Sequence, residues 1–175
     1  MMTLSHLEKE HAKALEHAES LSGLMTRFHY EGKASFGKNM RMAQDVGDYF
    51  SAFVIKHMEF EEKSLFPYLE SHIPRLEPVI QLLVSEHDDF RDKLSQFNKA
   101  LGKLNKRKSE PIDWKKVPSL IESGTYLVHL LRQHTTAERT SLNKAIDKYL
   151  REDEKKELSA RLIRHSKTFL ACPAT

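Results

Sequence analysis

The sequence predicts an all-α protein: an antiparallel up-down-up-down four-helix bundle followed by a short extra C-terminal helix. Three observations carry this. Apolar residues recur at helical spacing over four long stretches, period-two alternation is absent, and the connections between the stretches are short and polar. At 175 residues the chain fits one bundle over residues 1–150, with residues 151–175 forming a short helix and tail packed on it or trailing it. A chain of this length buries roughly 70% of its unfolded surface, enough for a real core.

The first helix opens at Thr3 or Ser5, where Ser5-His6-Leu7-Glu8 reads as a capping box. Leu4, Leu7, His11, Ala14, Leu15, Ala18, Leu21 and Met25 then step down one face. His6 and His17 fall off that row and are expected to face solvent. Gly32 and Gly37 suggest the loop that follows. The second helix is expected from about Asn39 to near Glu70, with Pro67 late enough to kink or end it. Its row is Val46, Phe50, Phe53, Val54 and Leu65, and the positions continuing that row are His57 and Glu61.

Ser71 to Pro74 make the next connection. From Leu76 a third helix carries Val79, Ile80, Leu83, His87, Phe90, Leu94, Phe97 and Leu101 on one face. Asn105 to Asp113 form a polar linker, and a fourth helix begins near Asp113 or at Pro118, a residue suited to a first turn. Its row is Leu120, Gly124, Leu127, Leu131, His134, Glu138, Leu142, Ala145 and Tyr149. Beyond Arg151, Leu158, Leu162 and Ile163 mark the extra amphipathic helix.

Composition narrows the function. A net charge of +3 is too mild to imply nucleic acid, and the basic run from Lys103 to Lys108 has no interleaved aromatics, as a solvated loop would. No stretch approaches the length of a membrane span and no signal-peptide pattern opens the chain, so a cytoplasmic protein is expected. The single cysteine, Cys172, supports neither a disulfide framework nor a zinc-thiolate site within the chain. Gly-rich phosphate loops, nucleophile elbows and His-Glu-x-x-His are all missing, and no catalytic acid or base stands out. Ten histidines are the oddity.

Six side chains interrupt the apolar rows with nitrogen or oxygen: His11, His57, Glu61, His87, His134 and Glu138. Residues four apart share a helix face, so His57 with Glu61 and His134 with Glu138 each present an imidazole and a carboxylate together. A buried carboxylate must be neutralised, hydrogen-bonded or bound to a cation. Imidazole plus carboxylate suits iron, manganese or zinc, whereas calcium and magnesium prefer oxygen alone. Two carboxylates and four imidazoles exceed one tetrahedral zinc. Two six-coordinate irons offer about twelve positions; bridging carboxylates and four imidazoles fill eight, and an oxo or hydroxo bridge two more. The rest stay open to water, dioxygen or nitric oxide. Among the other polar residues, His129 is rotated off the ligand face, Glu59 and Glu62 are expected to point outward as solvated charge, His29 and His72 lie in or beside loops, and His165 lies in the tail. Tyr30 and Tyr126 could approach the centre.

The phrase His57-Met58-Glu59-Phe60-Glu61-Glu62-Lys63-Ser64-Leu65-Phe66-Pro67 resembles the second helix of the hemerythrin-like, HHE cation-binding family. Glu86-His87 is similar to its third and His134-Thr135-Thr136-Ala137-Glu138 to its fourth. The resemblance spans about residues 3 to 150. It implies a non-haem di-iron centre with His11, His57, His87 and His134 as terminal ligands and Glu61 and Glu138 as bridges. It also implies a small-molecule partner such as dioxygen. Two departures stand out. The position one turn after His87 is Arg91, where oxygen carriers place a second histidine, and Glu138 replaces the carriers' aspartate. One iron then lacks an imidazole, which makes sensing, iron handling or redox chemistry more plausible. Ferritin-like bundles instead use Glu-x-x-His pairs, reversed in order and one residue shorter.

Overall fold

The computed structural model describes residues 5–104 and 111–170, with side chains over 6–104 and 111–165. The described residues are helical apart from short connections and contain no strand. Helix α1 is Ser5–Tyr30. The second rod, α2, is α-helical over Lys33–Tyr49, Ile55–Phe60 and Phe66–His72, with π-helical turns at Phe50–Val54 and Glu61–Leu65 between them. Helix α3 is Glu77–Leu104, α4 is Val117–Tyr149 and α5 is Glu152–Leu170. Helix α4 packs on α1 and α3, and α2 packs on α1 and α3. No helix among the described residues is long and apolar enough to cross a membrane. Thr3, Leu4, the Ser5 cap, Lys106 to Lys108 and Cys172 lie outside the described structure.

Rod α2 differs from the expectation at its start and in its winding. It begins at Lys33, so Gly37 is helical and not a loop residue. Glycine costs about 1 kcal/mol within a helix, but Phe36 and Met40 on either side are buried and hold that turn in place. The π-turns follow from the apolar row Val46, Phe50, Val54, Met58, whose four-residue steps would drift by ~40° each around an α-helix. Each π-turn takes up an extra residue, closed by backbone bonds from Ile55 to Phe50 and from Phe66 to Glu61. The second turn also opens the backbone just ahead of Pro67, whose ring would otherwise crowd the carbonyl four residues earlier. Phe53, expected in the row, is only partly buried as a result of this rewinding.

The start of α4 reconciles both expected positions. Asp113 caps a 3₁₀ turn, Trp114–Lys116, by accepting a bond from the Lys115 amide, and Pro118 then sits in the first turn of the α-helix. Within α4, Gly124 is a contact point: a Cβ there would run into the Met25 side chain of α1. Helix α5 is longer than expected, with Glu152, Asp153 and Glu154 favourably placed at its positive N-terminal end. Leu158 and Leu162 are buried, whereas Ile163 and Tyr149, both expected inside, are substantially exposed.

The apolar interior is two clusters. One contains Ala14, Val54, Met58, Phe90, Phe97, Leu127 and Leu131; the other contains Leu7, Leu65, Leu69, Leu83, Leu142, Leu158 and Leu162. Burying a side chain of this size contributes about 1.5–3 kcal/mol. Each of the first four rods passes from one cluster to the other. Along α1 the order is Leu7, His11, Ala14; along α2 it is Val54, Glu61, Leu65. Along α3 it is Leu83, His87, Phe90, and along α4 it is Leu131, His134, Leu142. Successive rods make the passage in opposite order, and in every rod a polar residue marks the crossing.

Candidate metal centre

The polar layer between the two clusters consists of the six residues singled out by their positions in the apolar rows. His57, Glu61, His87, His134 and Glu138 are buried, and His11 is the most open, with its side chain 17% exposed. They form two groups. In one, His11 Nε2 lies 2.8 Å from His57 Nε2 and 2.9 Å from Glu138 Oε2, while His57 Nε2 lies 2.9 Å from Glu61 Oε1. In the other, His87 Nε2 lies 3.1 Å from His134 Nε2 and 3.3 Å from Glu61 Oε2. Glu61 therefore turns one oxygen to each pair of imidazoles. Glu138 sides with His11; its Oε2 is 3.8 Å from His134 Nε2.

Three carboxylates outside the layer fix the imidazoles. His57 Nδ1 is 2.7 Å from Glu10 Oε2, His87 Nδ1 is 2.7 Å from Glu62 Oε1, and His134 Nδ1 is 3.0 Å from Glu86 Oε2. An ionised carboxylate only accepts, so each Nδ1 carries a proton, and Nε2 is the nitrogen left facing the layer. Each of these acids sits next to a layer residue in sequence, Glu10 beside His11, Glu62 beside Glu61 and Glu86 beside His87. Each reaches across to an imidazole on a neighbouring rod. That adjacency was the available signal. Glu62 thus does not point outward as solvated charge: it bonds His87 and receives Arg91 Nη2 at 2.8 Å. Arg91 also pairs with Asp88 and so serves the outer rim of the layer. Glu59, by contrast, forms a surface pair with Lys63, as expected.

The electrostatics describe a site that wants positive charge. Burial works against protonating His11, but the carboxylates of Glu138 and Glu61 outweigh it and hold the imidazole up at about 9. Burial likewise opposes charge on His57 and His134, yet Glu61 and Glu10 raise the first well above 6.5, and Glu86 and Glu138 raise the second. Glu61 is depressed well below 4.5 against its own burial, because His57, His11 and His87 surround it. Even so, all four oxygens of Glu61 and Glu138 are buried without a hydrogen-bond partner. Orphaned buried carboxylates are costly. Two such carboxylates facing four Nε2 atoms fit a borderline transition metal, and His11, His57, Glu61 and Glu138, like Glu61, His87 and His134, bring ligand atoms within 4.8 Å of one another.

Other polar residues fall elsewhere. His129 is exposed and tilted against Tyr126, and both Tyr126 and Tyr30 are solvent-facing and away from the layer. His29 and His72 lie in the last turns of their helices, beside the connections as expected. His17 is not simply solvent-facing but stacks on Tyr49 at 3.7 Å. His165 is helical, stacks on Phe60 at 3.7 Å and comes within 4.0 Å of Glu10. Two cavities, of about 310 and 240 Å³, reach the layer on either side of His11.

Comparison with known proteins agrees with this geometry. The hemerythrin HHE cation-binding domain model matches residues 2–146, which includes all six layer residues. No curated protein and no solved structure matches significantly. Over most of its length, the chain belongs to the hemerythrin HHE cation-binding family.

Proposed function

We propose that this chain is a non-haem di-iron protein built on an up-down-up-down four-helix bundle, binding dioxygen or a related small molecule such as peroxide or nitric oxide. His11, His57, His87 and His134 are the terminal ligands in this reading, and Glu61 and Glu138 the bridges. The observation that carries it is Glu61: wholly buried, its two oxygens face separate imidazole pairs and have no hydrogen-bond partner. One carboxylate serving two histidine pairs is the arrangement a two-metal site requires. Alternating passage of the rods between the two apolar clusters supports the bundle topology. Iron, when bound, supplies the redox chemistry and the exchangeable positions; the protein supplies oriented imidazoles and an apolar enclosure. Metal analysis after anaerobic purification, then optical spectroscopy on air exposure, tests this. Two irons per chain with a ligand-to-iron charge-transfer band are expected. Less than one equivalent, with no such band, overturns it.

A second reading makes the same site regulatory, an iron or gas sensor that acts through bundle stability. It is favoured by the orphaned carboxylates lying midway between the two cores, where metal loss loosens all four rods at once. Melting temperatures of metal-free and metal-loaded protein decide it: the sensor reading requires a large difference, and equal values remove it.

A further inference from the structure

The cavity of about 240 Å³ beside the layer is much larger than a diatomic ligand needs. At ~30 Å³ per liquid water it corresponds to about eight water molecules. Its inner end is formed by His11, His57 and His134, and its walls by Ala14, Phe53, Val54, Met58 and Leu131. Tyr49 adds an aromatic side, stacked on Phe53 at 5.1 Å and on His17 at 3.7 Å. An apolar cavity that ends in convergent polar groups is the usual form of a small-molecule site.

The rim gives the sign of the ligand. Lys9 and Lys13 are exposed there, with His6 beside them, and among the described residues of the lining the one acid is Glu10, already engaged by His57 Nδ1. Burial and the Glu10 and Glu16 carboxylates push the Tyr49 phenol up to about 12, so it remains a hydrogen-bond donor at neutral pH. A cationic rim over an aromatic, apolar interior matches an amphiphile with a negative head. The other cavity lacks this bias: its lining sets Arg139 against Glu8 and Glu138.

We propose that this cavity seats a small organic carboxylate, its apolar body against Tyr49 and Phe53 and its head at Lys9 and Lys13. The carboxylate's body then lies next to the imidazoles of the layer, making it a second ligand of the same site. Its place beside metal rests on the di-iron reading; binding itself does not.

Calorimetric titration of the full chain with octanoate, 1-octanol and octylamine, each below its aggregation threshold, tests this on metal-free and iron-loaded samples. Saturable 1:1 binding of octanoate is expected, at least tenfold tighter than either of the others. The Lys9→Glu/Lys13→Glu variant, altered only at exposed positions, should keep the wild-type melting temperature and metal content yet weaken octanoate at least tenfold. Arg139→Glu, at the other cavity, should leave octanoate unchanged. Absence of octanoate binding, equal affinity for octanol, insensitivity to the lysine reversal, or loss in Arg139→Glu instead each overturns the proposal. Iron content is measured on the same samples. Octanoate binding without iron would sink the di-iron reading alone, and iron without octanoate binding would sink this inference alone.

Discussion

His57, His87 and His134 each turn one ring nitrogen to the polar layer and the other to a carboxylate outside it, and the two ends have different consequences when altered. In the proposed di-iron reading, removing a layer carboxylate removes a bridge. Glu61→Ala or Glu138→Ala should therefore bring metal content below two per chain, whereas His129→Ala, at an exposed position, should leave it unchanged. If His129→Ala empties the site and His134→Ala does not, the register of α4 is wrong. Removing an outer carboxylate should do less. Glu62→Ala frees His87 Nδ1 and releases Arg91, and should lower metal affinity about 10–100-fold with the fold retained. Affinity measured against a competing chelator checks this; an unchanged value would mean that Glu62 merely balances Arg91. The layer residues were legible in the sequence because a His or Glu in a row of Leu and Phe stands out. Glu10 and Glu62 were far less so, because on their own helices they look like ordinary surface acids marked solely by the layer residue beside each. Only the neighbouring rod reveals their partners.

At the scale of elements, helix periodicity placed α1, α3 and α4 well, since their apolar rows mix three- and four-residue steps. Rod α2 was harder. Its row repeats in fours, which an α-helix cannot keep on one side, and the two π-turns are the physical answer. That the second turn starts at Glu61 places the rewinding at the shared carboxylate itself. Helix α5 adds a separate dependence. Leu158 and Leu162 complete the cluster below the layer, the Tyr68 hydroxyl donates to the Glu154 carbonyl, and His165 stacks on Phe60. Leu162→Ala should cost about 2–5 kcal/mol, measured by urea unfolding. A loss under 0.5 kcal/mol would show that α5 is dispensable to the core.

For the whole molecule, the polar layer ties stability to both pH and metal. In the metal-free chain, His11, His57 and His134 have raised pKa values. Their contribution is full below about 6.5 and is lost as pH climbs through their folded values, about 9 for His11. Glu61 is depressed, so its contribution is present above about 4.5 and is lost as pH falls through its folded value. The metal-free protein should therefore melt highest between about pH 4.5 and 6.5 and progressively lower towards pH 9. Metal requires deprotonated imidazoles, so the iron-loaded protein should gain stability over metal-free protein as pH rises across the same interval. Parallel melting curves against pH would contradict this. The most direct test of the central claim is titration of metal-free protein with ferrous iron under nitrogen, in wild type and in Glu61→Ala. A shared carboxylate predicts an end point of two equivalents in the wild type and fewer than two in the variant; one equivalent in the wild type, or two in both, would contradict it.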